Sequence, residues 1–274
     1  MMTPSSYRRF WAGVGERFPD LSGAASTRYY ADNEQRLFTE HFGALDGLSI
    51  LKTDLWDEAR NTRILVWAHA RGARAFGVDI SRPTLMMAQD AFAAAGFADG
   101  LSSAVGDVRD LPFADGSFDA VYSMGTIEHF AETERAVAEM TRVLKPGGRA
   151  IIGVPNRLDP FLRPLLATVM QAVGIYGYGY EKSYTRRALR QMLERAGLEV
   201  VAETAILFIP GWLRMLDLAC HSWFRPLASV TGALVSPFVF LDRHVPAVRR
   251  HGYLLATVVR KPAAPRASTS VTHT

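Results

Sequence analysis

The sequence contains a single cysteine, Cys220, among its 274 residues. One thiol excludes an intramolecular disulfide framework and any zinc module built from several cysteines. Lysine is almost as scarce, so scattered arginines carry most of the positive charge, and the formal net charge is only +4. Because no basic stripe and no known nucleic-acid-binding module accompanies this charge, the sequence predicts that the protein does not bind nucleic acid.

Long apolar runs are also missing. The two longest uncharged stretches, residues 164–180 and 226–241, are shorter than the roughly 20 apolar residues of a spanning helix. Glycines weaken the first as a helix, Pro237 interrupts the second, and the first residues lack the apolar core of a signal peptide. The sequence therefore predicts a cytoplasmic protein. Arginines clustered over residues 243–260 leave peripheral contact with an anionic membrane open, and the oligomeric state is left undetermined.

The middle of the chain alternates short apolar segments with helical ones. The predicted strands are residues 48–55, 73–80, 102–106, 118–124 and 149–154. The predicted helices are residues 60–71, 83–95 and 131–144, the last followed by a turn at 145–148. Near-continuous apolar strands predict an α/β fold with a doubly wound, mostly parallel sheet covered by helices on both faces. Such sheets bind ligands at the carboxyl ends of their strands.

The segments outside this alternation predict the domain organisation. Residues 1–46 are predicted to form a helical lid, with Ser26 and Thr27 capping one of its helices. Residues 47–261 are predicted to form one sheet domain, and residues 262–274, rich in Pro, Ala, Ser and Thr, a flexible tail.

Two acids follow predicted strands. Asp79 ends the second strand, where an acid of a nucleotide-binding sheet accepts hydrogen bonds from ribose hydroxyls; alternatively, it only caps the next helix through Ser81 and Pro83. Asp107 follows the third strand, where its carboxylate can accept from an adenine amine while the next backbone N–H donates to a ring nitrogen. The alternative for Asp107 is a solvated loop acid.

Glu128 and His129 follow the fourth predicted strand. At the end of a strand that opens on a cleft, they are candidates for a general base and its orienting group. The alternatives stay open: Glu128 caps the following helix, and His129 packs against a lid.

Taken in order, four segments resemble the class I S-adenosylmethionine-dependent methyltransferases, in particular the bacterial branch that methylates quinones and other small molecules. They are GVDIS, GD with RDLPFADGSFDAVYSMGTIEHF, RVLKPGGRAIIGVPN and YTRRALRQMLERAGLEVV. The resemblance covers about residues 47–201, and residues 252–260 supply a further strand. It implies a Rossmann-like seven-stranded sheet with an antiparallel last strand. The implied cofactor is S-adenosyl-L-methionine, converted to S-adenosyl-L-homocysteine.

The same resemblance implies which residues contact the cofactor. Asp79 corresponds to the ribose-binding acid. The adenine is expected to be contacted by Ile80, Asp107 and Val108. The methionine moiety is expected to be bordered by Ser123 and Met124.

The chain departs from the family at its first motif, which in the family is an acid followed by alternating glycines. Residues 52–60 read KTDLWDEAR, so with Asp54 as the motif acid the glycine positions hold Trp56, Glu58 and Arg60. Only glycine cheaply combines a positive φ with close backbone approach. Two interpretations remain open. In the first, the loop takes a wider path, Asp54 or Glu58 binds the cofactor's ammonium, and a helix starts beneath the loop at residues 61–62. In the second, the usual cofactor is no longer bound.

Two apolar insertions, residues 157–182 and 209–250, carry the substrate prediction. Their apolar side chains recur at helical spacing, which predicts helices packed on each other and on the sheet. Together with aromatic residues of the N-terminal segment, they are expected to cover a large apolar pocket. Those aromatic residues are Trp11, Tyr29 and Tyr30, and the candidate polar anchors are His129, Tyr176, Tyr180 and Tyr184.

The expected function is methyl transfer to a bulky, largely apolar small molecule. No metal is predicted, because the seven histidines show no ligand spacing. Two alternatives remain: a catalytically silent Rossmann-like binding protein, and an enzyme held at a membrane by residues 212–241, with Arg243, Arg249 and Arg250 as a basic rim.

Overall fold

The computed structural model describes residues 4–17, 19–174, 177 and 179–263. Two helices, α1 (Pro4–Arg17) and α2 (Ala25–His41), precede the sheet. The predicted cap of α2 is wrong: the helix begins one residue before Ser26, and no side chain caps it. The backbone N–H of Ser26 instead donates to the carboxylate of Asp217, at 2.7 Å. An acid from a distant segment therefore satisfies a donor of the first turn.

The first half of the sheet domain follows the predicted alternation with shorter elements. They are β1 (Ser49–Lys52), α3 (Trp56–Arg60), α4 (Ile64–His69), β2 (Arg74–Asp79), α5 (Arg82–Ala94) and β3 (Leu101–Val105). The helix predicted over residues 60–71 is two short helices. Arg63 between them has a left-handed φ of 57°, and Glu58 accepts the backbone N–H of Leu65, so a new helix begins there.

The second half contains both insertions. Its elements are β4 (Phe118–Met124), α6 (Thr133–Val143), β5 (Leu144–Pro155), α7 (Arg163–Ala172), α8 (Arg186–Arg195), β6 (Glu199–Ile206), α9 (Gly211–Trp223), α10 (Ala228–His244) and β7 (Leu254–Arg260). The turn predicted at residues 145–148 lies inside β5. Gly147 has a φ of 82° there, and the pairing of β5 with β4 is irregular between Phe118 and Ala120.

Within the described residues, seven strands form one sheet in the order β3-β2-β1-β4-β5-β7-β6. Strands β1 to β5 run parallel, and β7 is antiparallel to both β5 and β6. This confirms the predicted Rossmann-like sheet with an antiparallel last strand. The topology reverses between β1 and β4, so their carboxyl ends border a crevice. None of the described helices has both the length and the apolar character needed to cross a membrane.

The core lies on both faces of the sheet, because neighbouring strand residues point to opposite sides. Ile50 and Ile151 belong to one apolar cluster, while Leu51 and Ile152 belong to the other. Four residues of α2 lie in the first cluster: Tyr29, Tyr30, Leu37 and Phe38. Helix α2 is therefore part of the domain core, which leaves α1 as the N-terminal segment suited to a lid.

We expect Phe38→Ala to lower the free energy of unfolding by about 3–5 kcal/mol. Phe38 is fully buried and contacts Tyr122 edge-on, with ring centroids 5.0 Å apart. Chemical denaturation monitored by circular dichroism measures the effect. Phe240→Ala, at an exposed position, is the control, and an equal loss in both variants would contradict the assignment of α2 to the core.

The packing of the insertion helices departs from prediction, most clearly at α7. Helix α7 was expected to pack its apolar residues, but most of them face solvent. The side chains that α7 buries are Arg163 and Ala167. Arg163 is drawn inward by an ion pair with Glu181, at 2.6 Å, which turns the apolar side of the helix outward.

Candidate active site

A cleft with an empty volume of about 1370 Å³, part of it open to solvent, lies at the carboxyl ends of the parallel strands. The structure brings most of the predicted site residues together there. Those lining the cleft are Asp54, Asp79, Ile80, Asp107, Val108, Met124, Glu128 and His129. They come from the loops after β1, β2 and β3, from the end of β4 and from the turn after it, so the fold unites residues that lie up to 75 positions apart (129 − 54).

The loop after β1 explains how the chain accommodates the missing glycines. The backbone N–H of Leu55 donates to Asp79 Oδ2 at 2.8 Å, and α3 begins at the next residue. The Leu55 side chain lies over Gly77 of β2, where an added Cβ would be only 2.5 Å from Leu55 Cδ2. The glycine that permits close approach is therefore on the neighbouring strand, and not in the loop.

Lys52 fixes the loop after β1 through hydrogen bonds to Asp54. Its fully buried ammonium donates to the backbone oxygen of Asp54 at 3.0 Å and to Asp54 Oδ1 at 3.2 Å. Burial lowers the pKa of Lys52, but the carboxylates of Asp54, Asp57 and Glu58 outweigh burial and raise that pKa above its usual range. Thr126 donates to Asp54 Oδ2 at 2.8 Å, so both carboxylate oxygens of Asp54 are held at the edge of the cleft.

Two predicted contacts lie outside the cleft. Glu58 is fully buried, and its Oε1 accepts the backbone N–H of Leu65 at 3.0 Å, in the first turn of α4. Burial raises the pKa of Glu58 to about 7. Ser123 is also fully buried and points to the opposite side of β4 from Met124, because strand residues alternate. The structure therefore removes Glu58 and Ser123 from the cleft and keeps Asp54 and Met124.

Asp79 combines the two roles considered for it. Its Oδ1 accepts the backbone N–H of Ser81 at 2.7 Å, and Ser81 caps α5 by accepting from Thr84 N. The carboxylate also lines the cleft, where its oxygens have further lone pairs. Burial raises the pKa of Asp79 to about 7, because a charged carboxylate is poorly solvated there.

Asp107 is an ordered acid and not a freely solvated one. It accepts from Arg109 Nε at 2.9 Å and from an Arg109 terminal nitrogen at 2.7 Å. Burial opposes its ionisation, but the hydrogen bonds from Arg109 outweigh burial and lower the pKa of Asp107. The Arg109 guanidinium lies over the Phe130 ring, 5.0 Å from its centroid, which orients the pair along the wall of the cleft.

His129 lines the cleft, and a backbone contact selects one tautomer of its ring. Its Nδ1 lies 2.9 Å from the carbonyl oxygen of Tyr180, which can only accept, so Nδ1 carries the proton and Nε2 is the acceptor. Burial lowers the pKa of His129 and favours this neutral form. The Trp11 ring of α1 contacts His129 edge-on at 4.8 Å. His129 therefore packs against the N-terminal helix and also lines the cleft.

Glu128 lies beside this histidine, with Oε1 3.8 Å from His129 Nε2. Burial and, secondarily, the charge of Glu181 raise the pKa of Glu128 well above its usual range. The alternative in which Glu128 caps the next helix is wrong, because α6 has Glu132 at its N-cap and no side-chain cap.

Several lining residues were missed by the sequence interpretation. They are Tyr7, Thr53, Trp56, Asp57, Asn61, Thr126, Arg163, Glu181 and Arg214. Arg163 and Arg214 carried the clearest signal, since each is an arginine in a helix that consists mostly of apolar residues. Arg214 is nearly buried, donates to the Ser26 carbonyl at 3.1 Å and lies over the Tyr30 ring.

The predicted aromatic and anchor residues are divided. Trp11 and Tyr30 line the cleft, whereas Tyr29 is buried in the core, where its hydroxyl accepts from Phe208 N. The Tyr184 hydroxyl lies 3.1 Å from Thr133 Oγ1, outside the cleft. Tyr176 lies outside the described residues. No group of three or more potential metal ligands occurs in the part of the chain that the structure describes, and absence of a metal stays a prediction.

The strand order, the reversal between β1 and β4 and the acids that follow β1, β2 and β3 define a Rossmann-like protein with a nucleoside-cofactor cleft. A family model described as a methyltransferase domain matches residues 59–152. The chain belongs to the class I S-adenosylmethionine-dependent methyltransferases.

Two curated relatives and one solved structure illustrate the similarity. Demethylmenaquinone methyltransferase of Thermus thermophilus is 30% identical over 54% of this chain and 73% of its own. A probable tocopherol O-methyltransferase of rice is 38% identical over 63% of this chain and 51% of its own. Geranyl diphosphate C-methyltransferase of Streptomyces coelicolor, solved with S-adenosyl-L-homocysteine, has a TM-score of 0.55 at 17% identity, over 84% of this chain and 79% of that one. The chain spans about half the length of the curated relatives it matches first.

Proposed function

We propose that the protein transfers a methyl group from S-adenosyl-L-methionine to a bulky, largely apolar small molecule. The observation that carries the proposal is one cleft containing both the cofactor-type acids and His129. Two curated relatives, named for tocopherol and demethylmenaquinone methylation, support a small-molecule acceptor.

The residues that line the cleft fit the cofactor. Asp79 offers carboxylate lone pairs to the ribose hydroxyls, and Ile80 and Val108 offer apolar contact to the adenine. Three hydrogen bonds from Arg109 leave Asp107 with a lone pair for the adenine amine. When bound, the cofactor supplies a methyl group already activated on a sulfonium.

The methionine end would be held by side chains and not by a glycine-rich loop. Asp54, fixed by Lys52 and Thr126, is the proposed partner of the ammonium. Arg214 of α9, close enough to Asp57 to lower its pKa against the larger effect of burial, is the proposed partner of the carboxylate. These assignments favour the wider-path interpretation of the loop after β1.

His129 is the proposed general base. A neutral imidazole with Nδ1 held by the Tyr180 carbonyl can take a proton at Nε2 from a hydroxyl or amine of the acceptor. Methyl transfer otherwise requires mainly alignment of the two reacting atoms. Helix α1 is the proposed lid over the cleft of the sheet domain, residues 47–261. Its Tyr7 donates to the His129 carbonyl.

The walls of the cleft support an apolar acceptor. Its apolar lining includes Trp11, Val14, Tyr30, Phe130, Leu207, Met215, Leu218, Tyr253 and Leu254. Pockets of this kind bind apolar ligands and orient them with a few polar groups. Here the polar groups near His129 are Glu128 and the Arg163–Glu181 pair.

Calorimetric titration with S-adenosyl-L-homocysteine tests the proposal. We expect saturable binding in about the micromolar range, followed by methyl transfer to apolar hydroxyl-bearing acceptors. Absence of both heat and thermal stabilisation at high ligand concentration would instead favour the silent binding protein.

Cofactor affinity is expected to weaken as the pH falls through about 7. Burial raises the pKa of Asp79 to about 7, and ribose hydroxyls stabilise its ionised form, so binding lowers that pKa. The dissociation constant should therefore rise below pH 7, by up to about tenfold per pH unit, and stay flat above it. Titrations at several pH values measure this. Asp79→Asn should remove the dependence, whereas Glu58→Gln, a control for a second carboxyl titrating near 7, should retain it.

A further inference from the structure

Helices α7, α9 and α10 depart from the usual arrangement of a surface helix, in which charged side chains face water and apolar ones face the core. Their buried positions include four charged residues, Arg163, Arg214, Asp217 and Asp242, beside apolar ones such as Leu213. Their solvent-facing positions hold many large apolar side chains, with a few polar residues such as Thr168 and Ser236 between them, and we call the apolar ones the apolar face. It comprises Leu165, Leu166, Val169, Val173, Trp212, Met215, Leu216, Trp223, Val230, Leu234 and Phe240. Trp223 is 65% exposed and Phe240 60%, against 1% for Asp217.

The three helices are adjacent. Helices α9 and α10 are joined by a hydrogen bond from Thr231 Oγ1 to Asp217 Oδ1, at 2.8 Å. Phe161, just before α7, packs against Phe238 of α10, with ring centroids 5.9 Å apart. Arg163 of α7 approaches the first residue of α9. The apolar face is therefore one region of the surface, and exposed apolar regions of this kind mark interaction sites.

The exposed charges within the two insertions have one sign. Within the described residues of both insertions, the acids Asp159, Glu181, Asp217 and Asp242 have buried side chains. The exposed ions there are arginines: Arg157, Arg225, Arg243 and Arg250. Arg243 pairs with Asp32 of α2, at 2.7 Å; the other three add net positive charge beside an uncharged surface.

The apolar face also adjoins the cleft. Met215 belongs to both, since it is half-exposed and lines the cleft, and Leu218 lines the cleft one turn further along α9. If the apolar face rests on another surface, an apolar molecule could pass from that surface into the cleft along apolar side chains, without passing a charged residue.

We propose that the apolar face docks on a lipid bilayer surface that contains anionic lipids. Tryptophan at both ends of α9 suits the boundary between headgroups and acyl chains, and arginines at the edge suit anionic headgroups. A second copy of this chain fits less well, because a twofold contact would bring the same cationic edge against itself. Docking goes beyond the proposed methyl transfer and does not require it.

Vesicle co-sedimentation tests the docking. The vesicles contain either phosphatidylcholine alone or phosphatidylcholine with about one third phosphatidylglycerol. The protein should sediment with the anionic vesicles, more weakly at high salt, and less with the neutral ones. A protein that stays in the supernatant with both vesicles at low salt would overturn the proposal.

Matched variants distinguish binding through the apolar face from non-specific binding through any exposed apolar residue. The double variant Trp223→Gln with Phe240→Gln should lower vesicle partitioning about tenfold or more. The control, Met86→Gln with Val201→Gln, replaces two exposed apolar residues elsewhere and should change it less than about twofold. Equal effects would refute the assignment.

Two further readouts complete the test. Circular dichroism and S-adenosyl-L-homocysteine titration of both double variants verify folding and keep a failure of docking distinct from a failure of cofactor binding. Light scattering examines the remaining occupant. Membrane docking would be overturned if the unmodified protein were a dimer that binds neither kind of vesicle and the Trp223→Gln, Phe240→Gln variant were a monomer. That result would assign the apolar face to contact with a second copy of the chain.

Discussion

Asp79→Ala is expected to weaken S-adenosyl-L-homocysteine binding by at least about a hundredfold. The ribose hydroxyls would donate to an ionised carboxylate, and each hydrogen bond to a charged group contributes about 1.5–3 kcal/mol. Removal of the carboxylate also frees the backbone N–H groups of Leu55 and Ser81, which loosens the loop after β1. Calorimetric titration at pH 8, above the pKa of about 7 for Asp79, measures the loss.

Two companion variants keep this result interpretable. Asp119→Ala removes an acid near the start of β4 that also accepts a backbone N–H, from Ser49 at 3.0 Å, but lies outside the cleft. It should cost stability and leave the affinity unchanged. Asp79→Asn keeps the size of the side chain and one acceptor oxygen, so it should fold as the unmodified protein does and still bind weakly. Full affinity in Asp79→Asn and Asp79→Ala would show that the cofactor lies elsewhere.

His129→Gln is expected to lower kcat of methyl transfer by about 10²–10⁴, the range for removal of a general base. Cofactor affinity should change less than about twofold, since His129 is placed at the acceptor side of the cleft. In the unmodified protein, kcat should rise with pH through a value below the usual histidine pKa, because burial lowers the pKa of His129 and only the neutral ring accepts a proton.

His69→Gln is the matched control. His69 Nδ1 also lies 2.9 Å from a backbone carbonyl, that of Ala73, and its ring packs edge-on against Phe97, away from the cleft. It should retain the full kcat and the pH profile. A His129→Gln enzyme with an unchanged pH profile and a small loss of kcat would assign His129 to packing against Trp11 alone.

The sequence was most informative where short-range pattern decides structure. Strand β4 has the predicted ends, because an apolar run beginning at Phe118 and ending before Gly125 suits only a buried strand there. Candidate residues that follow strands, such as Asp79 and His129, line one cleft because parallel strands bring their carboxyl ends to the same edge of the sheet. The predicted cap at Ser26 was wrong because a distant acid, Asp217, accepts the backbone N–H of Ser26 in the first turn of the helix. The single helix predicted over residues 60–71 was wrong because Arg63, with its left-handed backbone, divides the segment into two helices.

The first motif illustrates contacts that only the tertiary structure could reveal. From the sequence, Trp56 and Glu58 at glycine positions left two interpretations open. In the fold, Gly77 of the next strand makes room for the Leu55 side chain of this loop, and the buried Lys52 donates to Asp54. Neither contact has a local signal, because each depends on how two strands are aligned side by side.

The sequence by itself determined the class of protein, the sheet and the chain positions from which the cleft is built, because these depend on apolar periodicity and on residues that directly follow strands. The tertiary structure alone decided which side chains enter the cleft and which face water. Arg163, Arg214, Asp217 and Asp242 find charged or polar partners far along the chain. Satisfying those buried charges turned the apolar sides of α7, α9 and α10 outward.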